Sequence, residues 1–208
     1  MAVLLLRLSG PLQSWGTTLK LKDHETDTMP SKSGVIGMVA AAFGRRRNED
    51  ISDLRSLRFG VRCDRRGSIL RDYHIASVEG EKNATYESRR FYIQDACFTA
   101  GLEGEREFLE ECADALKAPV FPPYLGRRSC VPDPGLVVGI YEDTLENVLK
   151  TVETETDDVY GRQENGRKRI CVESYDTGDR MRHDNPVSFD FHDRRYSYRM
   201  EKELSAGE

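Results

Sequence analysis

Tyr124-Leu125-Gly126-Arg127-Arg128-Ser129 puts an aromatic ring, a glycine and two guanidinium groups within six residues. A glycine lets a phosphate approach the main chain, an arginine meets it with two parallel hydrogen bonds, and a tyrosine can stack on a base. The same stretch also suits a glycine turn whose arginines pair with surface acids, and the local residues do not choose between the two. Arg71-Asp72-Tyr73-His74 and Arg89-Arg90 form a second concentration of cationic and aromatic groups. Gln13-Ser14-Trp15-Gly16 contains the chain's one tryptophan, either a plug for a core or interface or a platform for a base. Lys32-Ser33-Gly34 precedes an apolar segment. The amides of a helix N-terminus there favour a phosphate, although ordinary N-capping explains Ser33 equally well. Arg45-Arg46-Arg47 suits another phosphate contact, and equally a solubilising charge run. The candidate nucleic-acid-binding residues are therefore Arg71, Tyr73, His74, Arg90, Tyr124, Gly126, Arg127, Arg128 and Ser129, with Gln13, Ser14, Trp15, Lys32 and Ser33 behind them.

A second chemistry competes with simple binding. Metal-independent RNA cleavage uses the 2′-hydroxyl as nucleophile, helped by a general base, a general acid and cations on the scissile phosphate. Histidines are scarce, at 24, 74, 183 and 192, and His74, with Tyr73 and Arg71 beside it, is the candidate core of such a site. No H-x-H, C-x-x-C or Walker-type glycine loop is present, so no metal or cofactor is assigned. The cysteines at 63, 97, 112, 130 and 171 are odd in number and lack paired spacing, which reads as reduced, buried thiols.

Several elements must position these groups. Ala2–Leu8 is apolar and ended by Ser9-Gly10-Pro11, which predicts a buried strand rather than a signal segment, because Arg7 interrupts the run. Ser31 or Ser33 caps a helix over 34–43, stopped by Gly44. Leu57–Cys63 alternates as a second strand, 64–90 is a polar excursion, and Phe91–Leu102 is a third strand. Glu105–Lys117 is amphipathic, with Phe108, Leu109, Cys112 and Leu116 on one face. Gly135–Tyr141 is a strand and Asp143–Lys150 a short helix. Without the excursion the order is β-α-β-β-α-β, the ferredoxin-like arrangement of RNA-recognition modules. The fold class expected is α+β: a ferredoxin-like domain over residues 1–150 with a long β-hairpin arm inserted at about 64–90, between its second and third strands. Residues 151–208 form an irregular β annex that is not an independent domain, with strands at Arg169–Tyr175 and Val187–Tyr198 and a solvated acidic loop at Glu153–Asp158.

The net charge of −5 conceals an uneven distribution. Residues 1–130 hold 20 lysines and arginines against 18 acids, and residues 131–208 hold 11 against 18. Arginines outnumber lysines 23 to 8, which suits phosphate forks and base stacking but equally suits a GC-rich genome. The acidic C-terminal third is expected to face protein or solvent. No segment reaches the roughly 20 apolar residues of a membrane helix, so no membrane partner and a cytoplasmic location are expected.

Six blocks of sequence carry a resemblance. They are Leu4–Gly16, Pro30–Gly37, Phe59–Asp64, Leu70–His74, Tyr92–Thr99 and Pro123–Cys130, in that order along the chain. Together they resemble the fifth numbered family of CRISPR-associated proteins (RAMP-type), in the version found in type I-E Cascade surveillance complexes. Nothing is carried over to the last third, which departs from the pattern. The resemblance implies a non-catalytic subunit that grips the 5′ handle of the CRISPR RNA, with the excursion as a projecting thumb. It also implies that the subunit packs on a backbone subunit and helps seat the large subunit that recognises target DNA in antiviral defence. Some relatives in another subtype cut the precursor RNA themselves, which keeps the endoribonuclease reading as the alternative.

Overall fold

The computed structural model describes residues 1–16, 23–77, 85–154, 168–176 and 178–204, without the side chains of Asp23, His24 and Tyr86. Strand β1 (Ala2–Ser9) is covered on both faces, which is why its residues run apolar without alternation. Two short strands follow, β2 (Leu12–Gln13) and β3 (Asp23–His24), and then helix α1 (Lys32–Ala42). Ser31 caps α1 by accepting a hydrogen bond from Gly34 N, so the helix starts two residues before the expected Gly34. Helix α2 (Ser52–Ser56) leads into β4 (Arg58–Arg65).

The polar excursion is a hairpin of β5 (Ser68–Ser77) and β6 (Thr85–Gln94), paired antiparallel from Ser68↔Gln94 to Ser77↔Thr85. On its other edge β6 pairs with β2 and with β3, so the hairpin is backed at its base by the N-terminal loop. Strand β7 (Cys97–Gly104) follows at once. The single strand expected over Phe91–Leu102 is therefore two. Asp95 breaks it by taking a left-handed φ of 57°, a conformation that aspartate tolerates better than most residues. Its N–H donates to Pro11 O at 3.2 Å and its carbonyl accepts from Arg65 Nε at 2.6 Å.

Helix α3 (Arg106–Lys117), strand β8 (Val137–Tyr141) and helix α4 (Leu145–Thr151) come next, then β9 (Arg169–Ser174), β10 (Arg180–Ser188) and β11 (Arg195–Leu204). The strand expected at Val187–Tyr198 is instead the end of β10, a turn and the start of β11. Ser188 Oγ accepts from Asp190 N at 3.1 Å, and Asp190 Oδ1 accepts from His192 N at 2.8 Å, which reverses the chain. Of the expected acidic loop, residues 155–158 lie outside the described residues.

Seven strands make one antiparallel sheet in the order β10-β11-β9-β4-β7-β1-β8. Leu4, Leu6, Phe59 and Phe98 point to one face, where Ile36 and Val39 of α1 and Leu109 and Leu116 of α3 complete the main core. Val3, Leu5 and Val172 point to the other, covered by Leu145, Val148 and Leu149 of α4. That second face also contains ions. Arg62 is 2% exposed; its Nε donates to Asp64 Oδ1 at 2.6 Å and its Nη1 donates to the carbonyls of Leu149 and Val152, both at 2.7 Å. Arg58 bridges Glu103 and Glu146 nearby. All five cysteines are free and buried, and burial pushes the thiols of Cys97 and Cys112 up to about 11 and about 12. Among the described residues, no helix is long and apolar enough to cross a membrane.

Candidate nucleic-acid interface

Helix α1 runs across the main core so that Gly34, Gly37 and Ala41 lie along one surface, and a groove opens over them. One part is a cleft of about 290 Å³ at the start of the helix, bordered by Ser33, Gly34, Tyr124, Gly126, Arg47 and Arg194. It continues into a cavity of about 720 Å³ beside the helix end, bordered by Arg46, Arg47, Phe121, Tyr124 and Arg128. Arg46, Arg47, Arg128 and Arg194 are exposed. Arg45 is committed elsewhere: Nη1 and Nη2 fork onto the Asp53 carboxylate at 2.6 and 2.5 Å.

The loop expected to clamp phosphate is a tight turn. Leu125 N donates to Cys130 O at 2.7 Å, Cys130 N to Arg127 O at 2.8 Å, and Ser14 N to Leu125 O at 3.1 Å. Gly126 has φ +84°, and a Cβ there would lie 1.8 Å from Ser14 O. Only glycine lets the two loops meet. Tyr124 is half-buried on the groove, Arg128 and Ser129 are exposed, and Arg127 stacks its guanidinium 5.0 Å from the centre of the Tyr92 ring at the hairpin base. The loop thus touches both the groove and the hairpin.

Four of the expected binding side chains prove structural. Trp15 is 1% exposed, its Nε1 donates to Gln13 Oε1 at 2.9 Å, and its ring occupies the space a Cβ on Gly34 would need. It is the plug, not the platform. Gln13 is wholly buried, donating from Nε2 to the carbonyls of Leu8 and Ala96, each at 2.9 Å. Ser14 donates its hydroxyl to Phe91 O at 3.1 Å. Lys32 is buried against Glu173, Nζ to Oε2 at 2.9 Å, and burial lowers its pKa although Glu173 pulls the other way.

The start of α1 is not an open phosphate site either. Lys32 N donates to Asp184 Oδ2 at 3.0 Å and Gly34 N to Ser31 Oγ at 3.2 Å, so a carboxylate and the cap already hold those amides. Asp184 is shared with Arg199, whose Nε donates to Oδ1 at 2.6 Å. Ser33 remains on the cleft, half-buried, with its hydroxyl 3.3 Å from that of Ser31.

The hairpin residues separate by strand alternation. Arg71 and Tyr73 share a face with Ile69 and Ile75, whereas His74 shares the opposite face with Asp72 and, across the ladder, Arg90. All four expected hairpin residues are exposed. His74 Nε2 lies 2.5 Å from Asp72 Oδ2, on the opposite face of the strand from Tyr73 and Arg71. Among the described residues no group of three histidine, cysteine, aspartate or glutamate side chains is placed to hold a metal.

The residues missed by sequence reasoning come from the last third: Phe189, Arg194 and Tyr196, around the β10–β11 turn, border the cleft. Their only signal was an arginine-aromatic run, Arg194-Arg195-Tyr196, in a stretch whose overall acidity pointed away from RNA.

Residues 3–200 match the family model described as CRISPR-associated protein (Cas_Cas5). The chain is 36% identical over 148 residues to the CRISPR system Cascade subunit CasD of Escherichia coli (strain K12), an alignment covering 61% of this chain and 66% of that one. It superposes on a chain of a CRISPR RNA-guided surveillance complex with a TM-score of 0.78 at 34% identity, covering 98% of this chain and 89% of the other. A crystal structure of a Cas protein gives a TM-score of 0.73 at 36% identity, with 98% and 94% coverage. With its match running almost from end to end, the chain belongs to the CRISPR-associated protein (Cas_Cas5) family.

Proposed function

We propose that this protein is a non-catalytic subunit of a Cascade-type surveillance complex and binds the 5′ handle of the CRISPR RNA. The observation that carries the reading is the groove. The Tyr124–Ser129 loop and Arg47 meet there over α1, in a chain similar over 98% of its length to part of an RNA-guided complex. Exposed arginines beside a half-buried tyrosine supply phosphate neutralisation and a stacking face, which single-stranded RNA requires.

The fold reading goes with it. Strands β8-β1-β7-β4, crossed by α1 and α3, are the ferredoxin-like part, and β5–β6 is the thumb. Strand β9 pairs with β4, which supports reading 151–208 as an annex of the same unit. The exposed thumb carries Arg71, Tyr73, His74 and Arg90 toward the RNA or toward the backbone and large subunits, and target DNA is reached through the complex. Clamping is favoured over cleavage because Arg71, Tyr73 and His74 do not converge on one side of the hairpin.

The test is a pair of metal-free incubations with end-labelled RNA, one a mature guide with its 5′ handle and the other a repeat-containing precursor. Handle-dependent binding without cleavage is expected. Site-specific cutting of the precursor, lost in His74→Ala, would replace the clamp with the processing enzyme.

A further inference from the structure

The β10–β11 turn is fixed by its own side chains through Ser188 and Asp190, and it leans onto α1. The Phe189 ring lies against Gly37: a Cβ built there would be 3.5 Å from Phe189 Cζ. Tyr196, at the start of β11, is mostly buried on the same cleft, and burial pushes its phenol up while Arg194 and Arg47 pull it down. Arg47 and Arg194 line the same cleft as that ring, although they sit 147 residues apart in sequence. Asp193, next to Arg194 in sequence, pairs with Arg195 at 3.0 Å. Tyr124 borders the same cleft. The space, about 290 Å³, has aromatic groups from two distant loops and the two arginines on its border.

We propose that this cleft is a pocket for one unstacked nucleotide of single-stranded RNA, walled on one side by the C-terminal turn through Phe189, Tyr196 and Arg194. A base enters between Tyr124 and the Phe189–Tyr196 wall, and its phosphate lies between Arg47 and Arg194. A duplex does not fit, because its bases are stacked and paired, so the pocket selects an extruded base. The C-terminal turn then belongs to the RNA site, against the expectation that the acidic third faces protein or solvent.

The inference rests on the clamp reading, and the experiment separates the two. Binding of a handle-bearing guide RNA is measured for the full chain, for Phe189→Ala and for Arg194→Gln, together with a series of guides made abasic at one handle position each. In the wild type, one abasic position weakens binding about tenfold, as loss of one stacked base does. Phe189→Ala weakens binding of the intact guide by a similar factor and no longer responds to that abasic site. Arg194→Gln, at an exposed position where folding is not at stake, lowers the salt dependence by about one phosphate's share. If the wild type binds the guide but neither variant changes affinity, salt slope or abasic response, the pocket is overturned and the clamp stands. If the wild type binds no guide, the clamp falls and the pocket falls with it.

Discussion

Beneath α4, Arg62 is 2% exposed and gives its donors to Asp64, to Thr99 and Thr154, and to two carbonyls at the end of the helix. Beside α1, Arg47, Arg128 and Arg194 are exposed around a cleft bordered by aromatic rings. The same side chain answers opposite demands in the two places. In the first it cancels a carboxylate that water does not reach, and in the second it keeps its forked donors available to a ligand. The count of 23 arginines mixes both uses, and the surroundings of each residue tell them apart.

Removing Arg62 breaks that comparison most severely. Arg62→Ala leaves Asp64 in the interior without its main partner and is expected to cost about 3–5 kcal/mol, read as a lower midpoint in urea unfolding. A midpoint near wild type would mean that Lys168, 3.4 Å from Asp64, takes over the charge. Gly126→Ala acts where interior and groove meet. With φ +84° and Ser14 O in the way, it should cost about 1–3 kcal/mol and weaken guide binding as the two loops part. Arg47→Ala with Arg128→Ala belongs wholly to the groove. Stability should stay within about 0.5 kcal/mol, while the slope of log affinity against log salt flattens by about 0.7 for each phosphate left without its arginine. An unchanged slope would remove both arginines from the RNA site.

The mildest effect is on pH. The Arg58 guanidinium holds the Glu146 carboxyl below its ordinary range, by hydrogen bonds that outweigh partial burial. A carboxyl with a lower pKa in the folded chain stabilises it above the unfolded value, and that contribution disappears as pH falls through the folded value. Glu146→Gln should therefore make stability less sensitive to pH below about 4.5. Parallel acid curves for the two proteins would assign the acid sensitivity to other carboxyls.

Much of the framework was legible in the sequence because it is written locally. The run Ala2–Leu8, the amphipathic pattern of 105–117 and the stop at Gly44 identify β1, α3 and the end of α1 from nearest neighbours alone. Asp95 escaped notice because a single left-handed residue leaves the apolar pattern on either side intact. Within the site, Tyr124, Gly126 and Arg128 were readable as one contiguous loop. Lys32 and Gln13 were misread because their partners are distant: Glu173 is 141 residues beyond Lys32, and Ala96 is 83 beyond Gln13. Phe189 and Arg194 were passed over for the same reason, since only the packing of the β10–β11 turn on α1 brings them to the cleft.

The cluster around Lys32 also bears on when the chain can fold. Its countercharge, Glu173, and the acceptor for its amide, Asp184, are made at least 141 residues after it. Until they emerge, the N-terminal turn of α1 has a cation to bury and nothing to set against it. Pairings so far apart in sequence also form slowly. The N-terminal turn of α1 thus stays unfinished until residues 173 and 184 have been made.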